Sequence, residues 1–191
     1  VVFIAGGGPA GAAAAVAAAE NGASVFIAES FGAFGGAAVN ALVPAFMQFT
    51  DGKNFVADGI GRRVRDFIRE NCPEKMKKYC PDSIPVETLK LCYDNMIESS
   101  GAKFAFFTDV IGTAVENGSV KYAVCSTKGG IYAVKAKVFI DCTGDGDMAA
   151  MSGAEYKTGD ENGSVMAATL CALWTGIDWK RVVRPDSRKL E

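Results

Sequence analysis

The residues of this chain with the clearest chemical meaning are glycines. Gly6, Gly8 and Gly11 follow a short apolar run and lead into an alanine-rich stretch. In this spacing, Gly6 permits a tight strand-to-helix turn, Gly8 leaves room for a pyrophosphate, and Gly11 lets the helix pack closely on the strand. The backbone N–H groups of the turn, which includes Pro9 and Ala10, would then face phosphate oxygens at the positive end of the helix dipole.

A carboxylate at position 29 extends this interpretation. Residues 24–28 are mostly apolar and predict a second buried strand, and Glu29 follows it directly. A carboxylate about twenty residues after such glycines can accept hydrogen bonds from both ribose hydroxyls of an adenosine and would repel a 2′-phosphate. Strand, glycine turn, helix, strand and carboxylate together predict a dinucleotide-binding unit. We expect Glu29 to lie near solvent, where its loss would change stability little.

The next stretch of the chain is rich in glycine. Residues 30–38 begin with Ser30 and contain too many glycines for a regular helix or strand, so they predict a loop. Because this loop follows the ribose carboxylate, it would lie where a long dinucleotide continues past its pyrophosphate. Gly35 and Gly36 would let the backbone approach the ligand closely, with Ala37 beside them. The alternative is a flexible connector.

A second glycine turn lies towards the other end of the chain. Apolar residues 138–140 predict another buried strand, and the turn after it contains Thr143, Gly144 and Asp145 before a helix. The arrangement mirrors the first turn, and we expect Asp145 to cap the helix. The aspartate spacing also allows a calcium loop, but later ligands such as a bidentate Glu are absent. Cys142 has no neighbouring Cys or His to activate it as a redox nucleophile.

Two amphipathic helices are predicted between these turns. Residues 55–71 and 86–99 place apolar side chains at helical spacing, and Gly101 stops the second helix. Prolines at positions 81 and 85 predict a linker between the helices. Basic residues in this region are either a solvated face or a surface that attracts an anionic substrate; they are Arg62, Arg63, Arg65, Arg69, Lys75, Lys77 and Lys78.

From Lys103 the apolar pattern changes to that of strands. Four strands are predicted before the last apolar one, at residues 104–107, 111–116, 120–127 and 131–137. Asn117 and Gly118 are a two-residue hairpin signal between the second and third of these strands. The pattern predicts an antiparallel meander inserted into an otherwise βαβ protein.

Length, charge and cysteine content restrict the classes of protein. A chain of 191 residues with 49% hydrophobic residues can form one domain, or one and part of another. A net charge of −2 gives no reason to expect a nucleic-acid partner. Six cysteines without a C-x-x-C pair, in a chain with no His, argue against a metal site. They favour reduced thiols and a cytoplasmic location.

The first nineteen residues are apolar enough to be confused with a membrane span or a signal peptide. They lack basic residues at the start and are interrupted by Gly-Gly-Gly-Pro, so a strand followed by a helix explains them better. The chain opens within a predicted strand, which keeps a cleaved export signal as an alternative to the cytoplasmic location.

Taken in order, these motifs resemble the bacterial FAD-dependent oxidoreductases of the glutathione-reductase-type superfamily. The resemblance rests on residues 6–11, Glu29, residues 35–36, the meander and the turn at 141–147, and it covers essentially the whole chain. It implies an α/β, Rossmann-like FAD/NAD(P)-binding fold. In that fold, the parallel sheet is interrupted by an antiparallel β-meander between its third and last strands.

The resemblance also implies a role for each motif. Residues 8–11 would hold the pyrophosphate and Glu29 the adenosine ribose. Residues 35–36 would lie along the pyrophosphate and the ribityl chain. Val110, opening the meander, would offer its backbone to adenine, while residues 143–145 would close over the nucleotide.

Members of the family are commonly much longer than this chain, so we expect a fragment. Its expected parts are an FAD-binding domain over 1–163, with a helical insertion at about 53–100 and the meander at about 103–137, and an incomplete substrate domain over 164–191. Residues 164–179 would form the first strand of that substrate domain. Residues 37–39, Ala-Ala-Val, depart from the larger or hydroxylated residues usual near the flavin ring, which puts flavin contacts there in question.

The leading hypothesis is an FAD-dependent oxidoreductase in which the flavin accepts a hydride or electron pair from an unidentified small substrate. The chain has no His, so an acid or base would be Asp, Glu, Lys, Tyr or Arg, or would lie in the missing part, and no catalytic residue is assigned. One alternative is an NAD-dependent dehydrogenase with the same first βαβ unit, and another is a nucleotide-binding module or fragment without catalysis of its own. We expect the fragment to bind FAD without turnover and to be able to self-associate through an unpaired strand at 165–174.

Overall fold

The computed structural model describes residues 1–43, 45–46, 49–72, 84–178 and 181. These residues form two β-sheets, whose strands are β1 (Val2–Ala5), β2 (Val25–Ala28), β3 (Lys103–Ala105), β4 (Asp109–Glu116), β5 (Ser119–Thr127), β6 (Gly130–Lys135) and β7 (Val138–Asp141). The first sheet is parallel, with the spatial order β3-β2-β1-β7, and the second is antiparallel, with the order β4-β5-β6. The predicted α/β fold, with a meander between the third and last parallel strands, is confirmed.

The helices that the described residues form are α1 (Pro9–Glu20), α2 (Gly36–Asn40), α3 (Ile60–Asn71), α4 (Val86–Ser100) and α5 (Asp147–Met151). α1 starts with a proline, which has no N–H to leave unpaired at a helix start. Its buried face consists of small residues and one valine, so the helix can lie close to the sheet; these are Gly11, Ala12, Ala15 and Val16. α2 corrects the prediction of a loop throughout 30–38, because a helix begins at Gly36 inside it.

Helix α4 follows its prediction closely, while α3 begins later than predicted. The apolar residues predicted at helical spacing in α4, Leu89, Cys92, Tyr93 and Met96, are buried, and Gly101, with φ of 75°, ends the helix. α3 begins at Ile60 and not at residue 55 because Phe55 forms a β-bridge with Thr50. Gly59, with φ of 63°, then redirects the backbone immediately before the helix.

Two arginines of α3 form close ion pairs on the protein surface. Arg62 Nε lies 2.6 Å from Asp58 Oδ1, and Arg63 Nη1 lies 2.7 Å from Glu20 Oε1. These pairs favour a solvated face over a surface that attracts an anionic substrate. The predicted basic and linker positions 75, 77, 78 and 81 lie outside the described residues.

The hairpin between β4 and β5 forms as its sequence predicts. Asn117 and Gly118 have φ of 50° and 72°, the pair of positive values that a type I′ turn requires. β3 is shorter than the predicted strand at 104–107 and ends at Ala105. Phe107, with φ of 50°, has left the extended conformation and turns the chain towards the meander.

The parallel sheet separates two hydrophobic clusters. Ile4 of β1 belongs to the cluster that contains α1 and α4, whereas Phe3 and Ala5 belong to the cluster against the meander. This division follows from the alternation of side chains along a strand. All three residues are fully buried. β1 is therefore the centre of a helix, sheet and meander sandwich.

Residues 164–178 correct the prediction of a strand. They form neither helix nor strand, and they are largely exposed, with Met166 at 94% and Leu170 at 96%. A strand needs a neighbouring strand for its backbone hydrogen bonds, and no described residue pairs with this segment. Among the described residues, none forms a helix that is long and apolar enough to cross a membrane.

Candidate functional site

A cavity of about 860 Å³ opens at the carboxyl ends of β1, β2 and β7. In open parallel sheets, ligands bind at the carboxyl edge, at the point where the strand order reverses. In this sheet the order reverses at β1, whose neighbours are β2 and β7. Most of the sequence-predicted residues line the cavity, namely Gly6, Gly8, Pro9, Ala10, Glu29, Ser30, Gly36, Ala37, Val110, Thr143 and Gly144. Three of them, Gly11, Gly35 and Asp145, are not part of its wall.

The first glycine turn is shaped by close backbone approaches. Gly6 has φ of 91°, and a Cβ added to it would lie 2.5 Å from the carbonyl oxygen of Cys142. A Cβ on Gly11 would overlap the carbonyl oxygen of Gly6. At Gly8, the nearest atom to an added Cβ is Gly36 Cα at 3.7 Å, so this position is open. Gly6 and Gly11 therefore permit the packing, while Gly8 leaves the space.

Glu29 is buried, which corrects the expectation that it lies near solvent. Its side chain is only 4% exposed. Oε2 accepts a hydrogen bond from the backbone N–H of Gly7, and Oε1 accepts one from Phe31 N at 2.8 Å. Hydrogen bonds from backbone amides compensate the burial of a carboxylate. Since a carboxylate has about four acceptor positions, both oxygens can still accept from a ligand.

Gly7 is a residue whose importance the sequence pattern did not reveal. Besides donating to Glu29, it has no room for a side chain, because a Cβ would lie 2.7 Å from Phe34 Cδ1 and 2.9 Å from Glu29 Oε2. Phe34 is fully buried and packs against Phe104 and Phe106, with ring centroids 5.1 and 4.8 Å away. The available signal was the glycine at position 7 itself, because the fingerprint requires glycine only at positions 6 and 8 of the Gly-Gly-Gly run.

The loop after Glu29 is in backbone contact with the first turn. Gly35, with φ of 114°, donates its N–H to the carbonyl oxygen of Gly7 at 3.0 Å. Gly36 has φ of 50°, and a Cβ there would lie 2.9 Å from Gly8 Cα. Gly35, which is outside the cavity wall, thus joins the two loops, while Gly36 and Ala37 line the cavity at the start of α2.

The second glycine turn, which follows β7, is organised by Asp141, the last residue of that strand. Its Oδ1 accepts hydrogen bonds from Thr143 N at 3.0 Å and Thr143 Oγ1 at 2.8 Å, and its Oδ2 accepts one from Ala149 N at 2.7 Å. Thr143 Oγ1 also accepts a hydrogen bond from Asp147 N at 2.9 Å. The start of α5 is therefore held by Asp141 and Thr143. The prediction that Asp145 caps this helix is wrong, since Gly146 occupies the cap position.

Several groups in this region have shifted pKa values. Burial alone would raise the pKa of the Asp141 carboxyl, but hydrogen bonds from Thr143 and from the backbone of Ala149 and Met148 outweigh it, so the pKa lies below its usual value. Burial, with the nearby Asp141 charge, raises the pKa of the Cys142 thiol. Cys142 therefore stays protonated at neutral pH, unlike the low-pKa thiols of reactive cysteines.

The remaining wall is formed by the entry to the meander. The carbonyl oxygen of Glu29 accepts a hydrogen bond from Thr108 N at 3.0 Å, which fixes the start of β4 beside the carboxylate. Asp109 and Val110 follow in the wall, close to the exposed Phe31. Thr108, Asp109 and Phe31 were not predicted from the sequence, because only the fold brings the meander to this strand end.

Comparison with known proteins decides the family. A model of the family described as FAD dependent oxidoreductase matches residues 2–189. The chain belongs to this family. No curated protein matches the chain.

Solved structures show the same fold at low sequence identity. A geranylgeranyl bacteriochlorophyll reductase-like protein from Thermoplasma acidophilum is 18% identical, with a TM-score of 0.57, over 81% of this chain and 42% of that one. L-proline dehydrogenase from P. horikoshii is 16% identical, with a TM-score of 0.56, over 83% of this chain and 57% of the other. The chain thus spans about half the length of these structures.

Membership of the FAD-dependent oxidoreductase family agrees with the sequence hypothesis of a flavoprotein with FAD as cofactor. Among the described residues, no group of three or more His, Cys, Asp or Glu side chains could hold a metal.

Proposed function

We propose that this chain binds FAD in the cavity and serves the oxidoreduction of a small substrate. The observation that supports this most directly is the buried Glu29 carboxylate, which is held between Gly7 and Phe31 at the end of β2 with acceptor positions left over. FAD, when bound, supplies an acceptor for a hydride or an electron pair. The residues described here bind and orient it.

The cavity fits a dinucleotide in shape and in chemistry. Its volume of about 860 Å³ lies within the range of about 300–1,000 Å³ found for ligand sites. Gly8 and Gly36 present backbone without side chains to it, and the N-terminus of α1 lies at the same turn. Backbone N–H groups at a helix N-terminus are suited to a pyrophosphate.

Each part of the wall then has a role in binding. Glu29 accepts hydrogen bonds from the adenosine ribose, and Val110 offers its backbone to adenine. Gly8 and Gly36 face the pyrophosphate from two sides. Thr143, with its neighbour Gly144, closes over the nucleotide. Gly11 and Gly35, which are outside the wall, act on the ligand only through the packing of these turns. Asp145 is also outside the wall, and we assign it no contact with the ligand.

The architecture favours FAD over a nicotinamide cofactor. A two-lobed NAD fold continues from its first half with further βαβ units, whereas this chain continues with the antiparallel meander of β4 to β6. We also propose that residues 1–163 form the FAD-binding domain and that the protein works in a reducing compartment. The latter is supported by the absence of disulfides among cysteines 92, 125, 142 and 171.

Calorimetric titration with FAD and with NAD tests the proposed function, with Gly8→Val as the informative variant. Position 8 has ordinary φ of −65° and open space around an added Cβ, so Gly8→Val is expected to fold normally. It would fill the pyrophosphate position, and we expect FAD affinity to fall at least about tenfold, or 1.4 kcal/mol.

The matched control is Gly61→Ala, on α3 and away from the cavity, which should bind FAD like the parent. Tighter binding of NAD than of FAD by the parent would overturn the flavin proposal.

A further inference from the structure

The cavity wall contains a polar atom that the free protein leaves unpaired. Among the described residues, Asn40 Nδ2 is buried and has no hydrogen-bond partner, and Asn40 lines the cavity. A buried side-chain donor without a partner is unfavourable, and in native structures such a donor commonly has a functional cause.

Asn40 supplies the polar side chain on one face of α2. The other residues of this segment in the cavity wall are small, and none carries a polar side chain; they are Gly36, Ala37 and Ala41. Residues 36 and 40, like 37 and 41, are four apart, so they share a helix face. The opposite face packs in the core through Ala38 and Val39. Only Asn40 can thus give this face a side-chain hydrogen bond.

The place of Asn40 along the cavity follows from the start of α2. Gly36 lies against Gly8, the position proposed for the pyrophosphate. A helix rises about 1.5 Å per residue, so Asn40 lies about 6 Å further along the axis. The adenosine end is formed by different residues, Glu29 and Val110. Asn40 is therefore placed for the part of the ligand beyond the pyrophosphate.

We propose that Asn40 donates a hydrogen bond from Nδ2 to an oxygen of FAD beyond the diphosphate, and so favours FAD over nucleotides that end there. This inference rests on the proposed FAD site. The last side-chain torsion of Asn is broad, so a rotation can turn Nδ2 from the wall into the cavity. Binding then gives a partner to a donor that has none in the free protein.

The experiment compares FAD and ADP, which share the adenosine and the diphosphate. Asn40→Leu removes the donor at similar size, Asn40→Asp keeps the shape but offers acceptors, and Asn162→Leu is an exposed control outside the cavity. We expect Asn40→Leu to weaken FAD binding by about 2- to 10-fold, the equivalent of one hydrogen bond, and to leave ADP affinity unchanged. Asn40→Asp should weaken FAD binding at least as much, because its carboxylate offers no donor and repels the ligand's phosphates. Thermal unfolding without ligand should be no lower for Asn40→Leu than for the parent, because the unpaired donor is gone.

The outcomes separate this inference from the proposed function. If the parent does not bind FAD, the proposed site fails and the role of Asn40 with it. If the parent binds FAD and Asn40→Leu binds it equally well, the inference alone is overturned. If Asn40→Leu weakened the binding of FAD and of ADP equally, Asn40 would contact the adenosine or the diphosphate that both ligands share. That result would contradict the position beyond the diphosphate. Binding by Asn40→Asp as tight as by the parent would contradict the donor role.

Discussion

Glu29 combines a ligand-binding role with a structural one, so its removal should affect both affinity and stability. Glu29→Ala removes acceptors from the ribose, and we expect FAD binding to weaken by about 1.5–3 kcal/mol, the range for hydrogen bonds to a charged group. It also leaves the N–H groups of Gly7 and Phe31 without their acceptor. Unfolding free energy should therefore fall by about 1–3 kcal/mol.

Calorimetry with FAD and urea unfolding check the two parts of this prediction. Glu116→Ala is the control, since Glu116 is exposed at the end of β4 and outside the cavity. An unchanged affinity in Glu29→Ala would show that Glu29 only holds the turn together.

Asp141 makes a pH-dependent contribution to stability. Its pKa is lower in the folded protein than in the unfolded chain, where an aspartate titrates at about 3.9. The contribution is thus fully present above pH of about 3.9 and is lost as the pH falls through the lower, folded pKa. We expect Asp141→Asn to be less stable than the parent at neutral pH, with the difference shrinking below a pH of about 4.

Urea unfolding at a series of pH values between about 3 and 7 measures this convergence. Asp145→Asn, at an exposed position of the same turn, is the control and should follow the parent throughout. A difference between Asp141→Asn and the parent that stays constant over this range would contradict the assignment.

At the scale of elements, the Thr143 hydroxyl connects the turn after β7 to the start of α5. Thr143 Oγ1 donates to Asp141 and accepts from Asp147 N at the start of the helix. Thr143→Val keeps the shape and removes both bonds, and we expect it to lower the unfolding free energy by about 0.5–2 kcal/mol, as for the loss of a helix cap.

Thr143→Ser keeps the hydroxyl and is the matched control for this turn. In denaturant unfolding, the serine variant should retain most of the stability that the valine variant loses. Equal losses in the two variants would show that the methyl group, and not the hydroxyl, carries the effect.

Elements with a local chemical signature were predictable, and those fixed by distant contacts were not. Asn117-Gly118 determines its own turn, and the glycine spacing at 6, 8 and 11 determines the strand-turn-helix unit. The carboxylate that supports the start of α5 was missed because Asp141 lies eight residues before Ala149, whose N–H it accepts. α2 was missed because it begins with a glycine that sequence propensity places in loops.

At the scale of the molecule, ligand binding should stabilise the folded body without protecting the exposed segment at 153–178. FAD at a hundredfold excess over its Kd should raise the unfolding free energy by about 2.7 kcal/mol. A protease that cuts after large apolar residues should first cleave near Leu170, Leu173 and Trp174, whose side chains are at least three-quarters exposed.

Mass spectrometry of a short digest, with and without FAD, identifies these cuts. We expect the shortened product to retain FAD affinity, because the cavity residues all precede residue 150. A product that folds but has lost FAD binding would contradict the proposed domain over 1–163.

The same segment marks the limit of sequence-based prediction for the whole molecule. The residues from Val165 to Trp174 have the β-branched and aromatic composition of a strand, yet no strand among the described residues pairs with them. Pairing is a property of two segments, and composition describes only one of them. By contrast, strands β1, β2 and β7 were predictable because each is a short apolar run followed by a turn.

The contact between the two glycine loops has a consequence for how this site can change during evolution. Gly35 N donates to Gly7 O, and Gly36 lies against Gly8, so the contact between the two loops is made by main-chain atoms. Every residue except proline has the same main-chain N–H and C=O groups, so the surrounding side chains can vary as long as the glycines stay. Solved structures that share this fold are only 16% and 18% identical to the chain. A mutational scan for retained FAD binding should show sharp intolerance at these few glycines within a broadly permissive sequence.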